Sequence, residues 1–196
     1  MTHNDANERR GALRAHALAA RESAPAALRA VWEAAIARHL DDLLPHLPPV
    51  DVLAFCWPFR AEPDLRAWVG RWLAAAPARI AALPVVVAKE APLAFRRWRP
   101  GMALARGRYG IPAPAQGPEI VPDLVLVPLN AFDARGYRLG YGGGYFDRTL
   151  AALRPLTVGV GFESGRIADA LPQPHDYALD WLVTEAGAAA RSMAAP

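Results

Sequence analysis

Residues 133–150 read DARGYRLGYGGGYFDRTL, and they follow a short apolar run, Leu124-Val125-Leu126-Val127. The run reads as a buried strand, and Tyr145-Phe146-Asp147-Arg148-Thr149-Leu150 reads as the start of a helix. Between them, four of the fifteen glycines fall within five positions: Gly140, Gly142, Gly143 and Gly144. Strand, glycine loop and helix N-terminus make an arrangement that suits anions. Glycine permits positive φ and close backbone approach to a ligand. The free N–H groups and dipole of a helix start favour phosphate. Arg138 stands just before the glycines as a fixed positive charge. Asp147 falls in the first helical turn, where a carboxylate is stabilised and where Mg²⁺ beside a phosphate can find a ligand.

On the glycines alone, a wide turn and a phosphate cradle are equally good readings. The common nucleotide templates do not fit. A Walker loop needs Gly-Lys-Ser/Thr, but Tyr145 and Phe146 follow Gly144. A dinucleotide fingerprint counted from Gly140 or Gly142 would need its third glycine at Tyr145 or Asp147.

Outward from this stretch, apolar runs and helical patterns alternate. A helix is expected over 6–22, carrying Arg9, Arg10, Arg14 and Arg21, with Leu13 and Leu18 as its larger apolar anchors. Arg10 and Arg14 lie one turn apart and share a face, which taken alone reads as solvated. A second helix is expected from Ser23-Ala24-Pro25 to about Leu44, with Leu28, Val31, Trp32, Ala35, Ile36 and Leu40 at helical spacing. Val50 to Trp57 reads as a strand covered on both faces. The loop after it holds Glu62 and Asp64, at the strand end where open α/β sheets bind ligands. Asp64 reads as the cap of a helix over 65–75. Ile80 to Ala88 contains a further strand, in which Pro84 argues for a start or an edge, and 93–98 is a hairpin partner for it. The long proline- and glycine-rich connection 99–122 has Tyr109 at its middle. Strands are expected again at 157–162 and 179–183, and the alanine-rich end, 186–196, is expected to fray. The fold class this implies is α/β in three layers, a mainly parallel sheet with helices on both faces. No linker divides the 196 residues, so a single domain over 1–196 is expected.

Composition bounds the rest. The chain is 53% hydrophobic and 21% charged with a net charge of +3, which is globular and mildly basic. Lys89 is the only lysine, so the arginines reflect a compositional bias more than a nucleic-acid surface. Cys56 is the only cysteine, which excludes an internal disulfide and CxxC metal or redox motifs. The N-terminal segment is charged and lacks a secretory apolar core, and no stretch approaches the roughly 20 apolar residues of a membrane span. A cytoplasmic, monomeric protein that engages neither nucleic acid nor membrane is expected.

The residues resemble 5-formyltetrahydrofolate cyclo-ligase, the 5,10-methenyltetrahydrofolate synthetase family. The strongest match runs from Asp123 to Leu150: DLVLVP, then AFD, then G-x-RLG-x-GGGY-F-D-R-x-L. Weaker matches are Arg10-Gly11-Ala12-Leu13-Arg14, Glu62 after the first strand, Tyr109 before Gly110-Ile111-Pro112, His175-Asp176 and Thr184-Glu185. The resemblance implies an α/β three-layer fold. It also implies MgATP-driven conversion of 5-formyltetrahydrofolate to 5,10-methenyltetrahydrofolate with release of ADP and phosphate. It implies that Arg10, Arg14, Arg138, Leu139, Gly140, Tyr141, Gly142, Gly143, Gly144 and Tyr145 bind ATP, with Arg138 catalytic, which reverses the solvated-face reading of the first helix. Asp147 and Asp176 would hold Mg²⁺. Glu62 would bond the pterin ring, Tyr109 and Tyr145 would flank the folate, and Phe55, Trp57 and Phe132 would line its pocket. The chain departs from some members at Tyr141 and Gly143, where they carry basic residues, at Arg10, where lysine is frequent, and at Tyr109, where some have tryptophan. Two other readings share these residues: a phosphoryl-transfer enzyme of the same fold acting on another small molecule, and a non-catalytic folate- or nucleotide-binding protein.

Overall fold

The computed structural model describes residues 3–192. In chain order the elements begin with helices α1 (His3–Ser23) and α2 (Ala26–Leu43), strand β1 (Val52–Ala54), helix α3 (Arg66–Ala74) and strands β2 (Ile80–Val85) and β3 (Ala94–Trp98). Two short strands follow within the long connection, β4 (Ala105–Arg106) and β5 (Pro112–Ala113). Then come β6 (Leu124–Pro128), β7 (Ala131–Phe132), β8 (Arg138–Leu139), helix α4 (Tyr145–Leu153), β9 (Leu156–Val160), β10 (Trp181–Thr184) and β11 (Gly187–Ala190).

Seven strands form one sheet in the order β11-β10-β9-β6-β1-β2-β3. The five central strands run parallel, and the two edges, β3 and β11, are antiparallel to their neighbours. Alternation along the strands sorts the core into two layers. Leu53, Leu124, Leu126, Val158 and Val160 face one way and meet Ile36 and Leu40 of α2 and Trp68 and Val69 of α3. Ala54, Ala82, Val125 and Val127 face the other way and meet Leu150 of α4, together with Leu129, Phe132 and Leu179. The three-layer α/β expectation is therefore met, with helices on both faces.

Pro84 sits inside β2 without breaking it. Pairing of β2 with β1 ends at Ala82, so the missing N–H of Pro84 falls beyond the last parallel pair. Asp64 caps from one residue further out than expected: Leu65 is the residue preceding α3, and the Asp64 carboxylate accepts the N–H of Arg66 at 3.1 Å. The expectation of a frayed end is corrected over 187–190. These residues form β11, paired Trp181 to Ala190 through Thr184 to Gly187. A sheet edge is held by backbone hydrogen bonds, so the weak strand preference of alanine does not prevent pairing. Residues 193–196 lie outside the described residues.

The chain order fixes where a ligand can sit. From β1 the chain steps to β2 on one side of the sheet, while β6, β9 and β10 step away on the other. The order reverses between β1 and β6, and in open α/β sheets the crevice beyond the carboxyl ends at such a point is the binding position.

Candidate active site

A cavity of about 510 Å³ opens at that point. Cys56, Trp57, Phe59 and Glu62 come from the loop after β1, and Val85 and Val86 from the end of β2. Pro128 and Asn130 follow β6, and the glycine loop forms the opposite wall. Arg10 and Arg14 reach the cavity from one face of α1.

The glycine loop leads into α4 through Gly144, which sits in the left-handed region at φ 62°. A β-carbon there would lie 2.8 Å from the Arg148 guanidinium. Gly142 is also left-handed, at φ 89°, and a β-carbon at Gly140 or Gly142 would meet open space. Glycine is thus required by backbone angle at two positions, while the space above the loop stays free for a ligand. Arg14 donates to the Gly140 carbonyl and Arg148 to the Gly143 carbonyl, which pins the loop from both sides. Tethering the carbonyls leaves the N–H side of the loop and the start of α4 as the anion-attracting face.

Two arginine–aspartate pairs border this face. Arg138, on β8 and 7% exposed, donates to the Tyr177 carbonyl at 2.8 Å and approaches Asp147 Oδ1 at 3.1 Å. Burial pulls the Arg138 guanidinium pKa down, and the Asp147 carboxylate opposes the shift. Arg10 makes a forked pair with Asp176, at 2.5 and 3.2 Å, and donates a third bond to the Leu171 carbonyl. Burial works to raise the Asp176 carboxyl, but the Arg10 fork, the Gln173 N–H and His175 outweigh it and hold it below the usual carboxylate range. Arg14 is drawn down by burial and by the neighbouring Arg10 charge.

At the other end, Glu62 is 7% exposed. Burial raises its carboxyl above the usual range, against Arg21, the Tyr141 hydroxyl and the Phe59 N–H. Its Oε1 accepts from Tyr141 at 3.0 Å and its Oε2 from Phe59 N at 3.1 Å. Cys56 is held as a thiol, its pKa pushed well up by burial and then by Glu62. Tyr109, left-handed at φ 67°, places its hydroxyl 3.0 Å from that of Tyr145. The two rings meet edge to face at 6.2 Å between centroids and join the long connection to the glycine loop. A second hollow of about 510 Å³ shares Tyr109, the glycines 142–144, Tyr145, Asp147 and His175 with the first and adds Lys89, Glu90 and Arg148.

A model of the 5-formyltetrahydrofolate cyclo-ligase family matches residues 6–185. The chain belongs to this family. It is 36% identical over 101 residues to the 5-formyltetrahydrofolate cyclo-ligase of Mycolicibacterium smegmatis, covering 47% of this chain and 51% of that one. It is 33% identical over 91 residues to the protein of that name from Haemophilus influenzae, covering 42% and 48%. The matched segments thus span about half the length of these curated relatives. The solved 5,10-methenyltetrahydrofolate synthetase of Aquifex aeolicus superposes with a TM-score of 0.81 at 27% identity over 95% of each chain. The synthetase of Mycoplasma pneumoniae, at 22% identity, shares the fold with a TM-score of 0.72 over 90% of this chain and 98% of that one.

Of the residues that the cyclo-ligase resemblance singles out, the cavity gathers most. Arg10, Arg14, Trp57, Glu62, Tyr109, Arg138, the loop from Gly140 to Tyr145, Asp147 and Asp176 all border it. Leu139 is buried beside Ala17 and Ala131 and supports the loop from behind. Phe55 and Phe132 are corrections. They are 1% and 0% exposed and belong to the two core layers rather than the cavity wall. Strand alternation is the reason: Phe55 continues the inward face of Leu53, and Phe132 packs under Leu129 and Leu179. Sequence reading passed over Asn130 and Arg21. Asn130 donates to the Arg14 carbonyl at 3.2 Å, while its buried Oδ1 finds no partner among the described residues. Its place in the loop just beyond the apolar run of β6 is the signal the sequence offers. Among the described residues no three His, Cys, Asp or Glu side chains gather as a metal site. One or two carboxylates beside a phosphate group are the ligand set Mg²⁺ usually takes, and Asp147 and Asp176 fit that requirement.

Proposed function

We propose that this chain closes 5-formyltetrahydrofolate to 5,10-methenyltetrahydrofolate with ATP, releasing ADP and phosphate. The formyl oxygen takes the γ-phosphoryl group, the neighbouring amine nitrogen attacks the activated carbon, and the ring closes as phosphate leaves. An amide-like oxygen is a poor leaving group, and phosphorylation makes it a good one. Such a transfer needs positioning and charge stabilisation more than covalent help from the protein.

The observation that carries the reading is the meeting, in one cavity, of a buried carboxylate with a glycine loop bordered by three arginines. Glu62 suits the amino and ring N–H donors of a pterin. The glycine loop, the start of α4, Arg10, Arg14 and Arg138 suit a triphosphate. Asp147 and Asp176 would hold Mg²⁺, which supplies neutralisation of phosphate charge when bound. Both aspartates now face arginines, so the phosphates and the metal would take over the partners of each pair together. Trp57 offers an apolar surface to the folate ring, and Tyr109 and Tyr145 stand over the opening.

The test is direct. Purified protein is mixed with 5-formyltetrahydrofolate, Mg²⁺ and ATP, and the near-ultraviolet band of the methenyl product is followed. Growth of the band only with ATP is expected. Release of ADP in a substrate screen without the band would point to another small molecule. Folate or nucleotide binding with neither band nor ADP would make the chain a binding protein.

A further inference from the structure

Arg21, at the end of α1, is not accounted for by the phosphate site or by the pterin site, yet it touches the supports of both. It is 3% exposed. Its Nε donates to the Arg60 carbonyl at 2.9 Å and its Nη1 to the Leu129 carbonyl at 3.2 Å. Its Nη2 donates to the Tyr141 hydroxyl at 2.6 Å and lies 4.0 Å from Glu62 Oε1. One guanidinium therefore holds the loop after β1, the loop after β6 and the glycine loop.

Tyr141 completes the link. Its hydroxyl accepts from Arg21 and donates to Glu62 Oε1, so a residue of the glycine loop sits on the carboxylate that the proposed function assigns to the folate. The Tyr141 pKa is pushed up to about 12 by burial and by Glu62, which keeps the hydroxyl a donor at neutral pH. Its ring rests edge-on against Phe59 at 5.6 Å between centroids. The segment that presents Glu62 is itself strained, with Arg60 and Ala61 at φ 49° and 59°. Non-glycine residues keep such angles only when their surroundings hold them. The Arg21 bond to the Arg60 carbonyl is such a hold. The glycine loop beside it keeps open space above Gly140 and Gly142.

We propose that Arg21 is a positioning residue which, through Tyr141 and Glu62, couples nucleotide on the glycine loop to folate in the cavity, so that each ligand strengthens binding of the other. The proposal rests on the cyclo-ligase reading above. Nucleotide seated on the loop bears on the bond that Tyr141 already makes to Glu62, and Glu62 so held presents its remaining acceptor positions to the pterin. Coupling of this kind is reciprocal, and linked sites commonly show factors of roughly 5 to 150. The charged and titratable groups facing Glu62 are Arg21 from α1, Tyr141 from the glycine loop and Cys56 from its own loop.

The experiment measures the Kd of 5-formyltetrahydrofolate with and without Mg²⁺ and a β,γ-imido ATP analogue, in wild type, Tyr141→Phe and Arg21→Lys. Each protein's nucleotide-free Kd is its own reference. The Phe variant keeps the ring against Phe59 and removes only the hydroxyl. The Lys variant keeps the charge and removes the fork. Wild type should bind folate about tenfold more tightly with the analogue, within the usual range for coupled sites, and both variants should bring that ratio close to one. A wild-type ratio near one, or an undiminished ratio in Tyr141→Phe, overturns the coupling. An undiminished ratio in Arg21→Lys removes Arg21 from the role. Wild type that binds no folate under either condition sinks the cyclo-ligase reading itself, a result distinct from all of these.

Discussion

Arg138 Nη2 lies 3.1 Å from Asp147 Oδ1, so the cation just before the glycine loop and the carboxylate just inside α4 neutralise each other across the loop between them. Asp147 Oδ1 also accepts the N–H of Tyr177 at 3.1 Å, which ties the pair to the segment leading into β10. On the proposed function, a triphosphate arriving with a divalent cation would offer each member of the pair a stronger partner. The two residues therefore carry separable predictions.

Arg138→Ala should lower kcat by about 10²-fold or more, as removal of a preorganised charge donor at a reacting group commonly does. The folate KM should move far less, because Glu62 and Trp57 remain. Steady-state kinetics with saturating MgATP separate the two parameters, and unchanged turnover would remove Arg138 from the reaction. Some loss of stability is expected as well, since Asp147 keeps its place without its partner.

Asp147→Asn should raise the Mg²⁺ concentration needed for half-maximal rate by about tenfold, the lower end of what losing even an outer-shell partner of a metal costs. An initial-rate titration with Mg²⁺ at fixed ATP reads this. A superimposable titration would leave Asp147 only its contacts with Arg138 and Tyr177.

The sequence made the sheet, its two covering layers and the glycine loop legible because these depend on local pattern. Leu124 to Val127 is apolar without interruption, as a strand buried on both faces is, and Gly142 and Gly144 mark where the backbone turns left-handed. Phe55 and Phe132, which the resemblance assigns to the pocket, lie in the core because one residue of strand register decides which side they face. Arg21 shows no such local signal because its partners, carbonyls at residues 60 and 129 and a hydroxyl at residue 141, all lie far along the chain. Nothing in helical spacing separates it from a solvated arginine. The edge strand β11 was hidden for another reason, since its pairing lies in the backbone and its side chains are alanines.

Gly136→Ala tests the frame that holds Arg138. Gly136 sits at φ 86°, and a β-carbon there would come within 2.3 Å of the Leu179 carbonyl oxygen. That contact is with backbone, which cannot swing aside, and the Gly136 carbonyl accepts the Leu179 N–H at 2.9 Å. A destabilisation of about 3 kcal/mol is expected, at the upper end of the ordinary range for one substitution. Urea unfolding measures it, and a loss below about 1 kcal/mol, near the centre of that range, would mean the turn accommodates a side chain.

Burial holds the Glu62 carboxyl above its usual value of 4.5, against the pull of Arg21, Tyr141 and the Phe59 N–H. A raised folded-state pKa means the folded chain binds this proton more tightly than the unfolded one. Charged Glu62 therefore costs stability at neutral pH, and the cost is relieved as pH falls through the folded pKa toward the unfolded one. On the proposed function the activity runs the opposite way, because only the carboxylate would accept from every donor of a bound pterin. The acid limb of kcat/KM for folate should accordingly lie above pH 4.5, the usual value for the group. Against its burial, the Arg10 fork and the Gln173 N–H hold the Asp176 carboxyl below the usual carboxylate range, the opposite direction to Glu62. Glu62→Gln should lower kcat/KM for folate by about 10²-fold or more, as loss of one partner of a charged hydrogen bond does, and should flatten the limb. A limb unchanged in Glu62→Gln would assign the titration to another group and separate Glu62 from pterin binding.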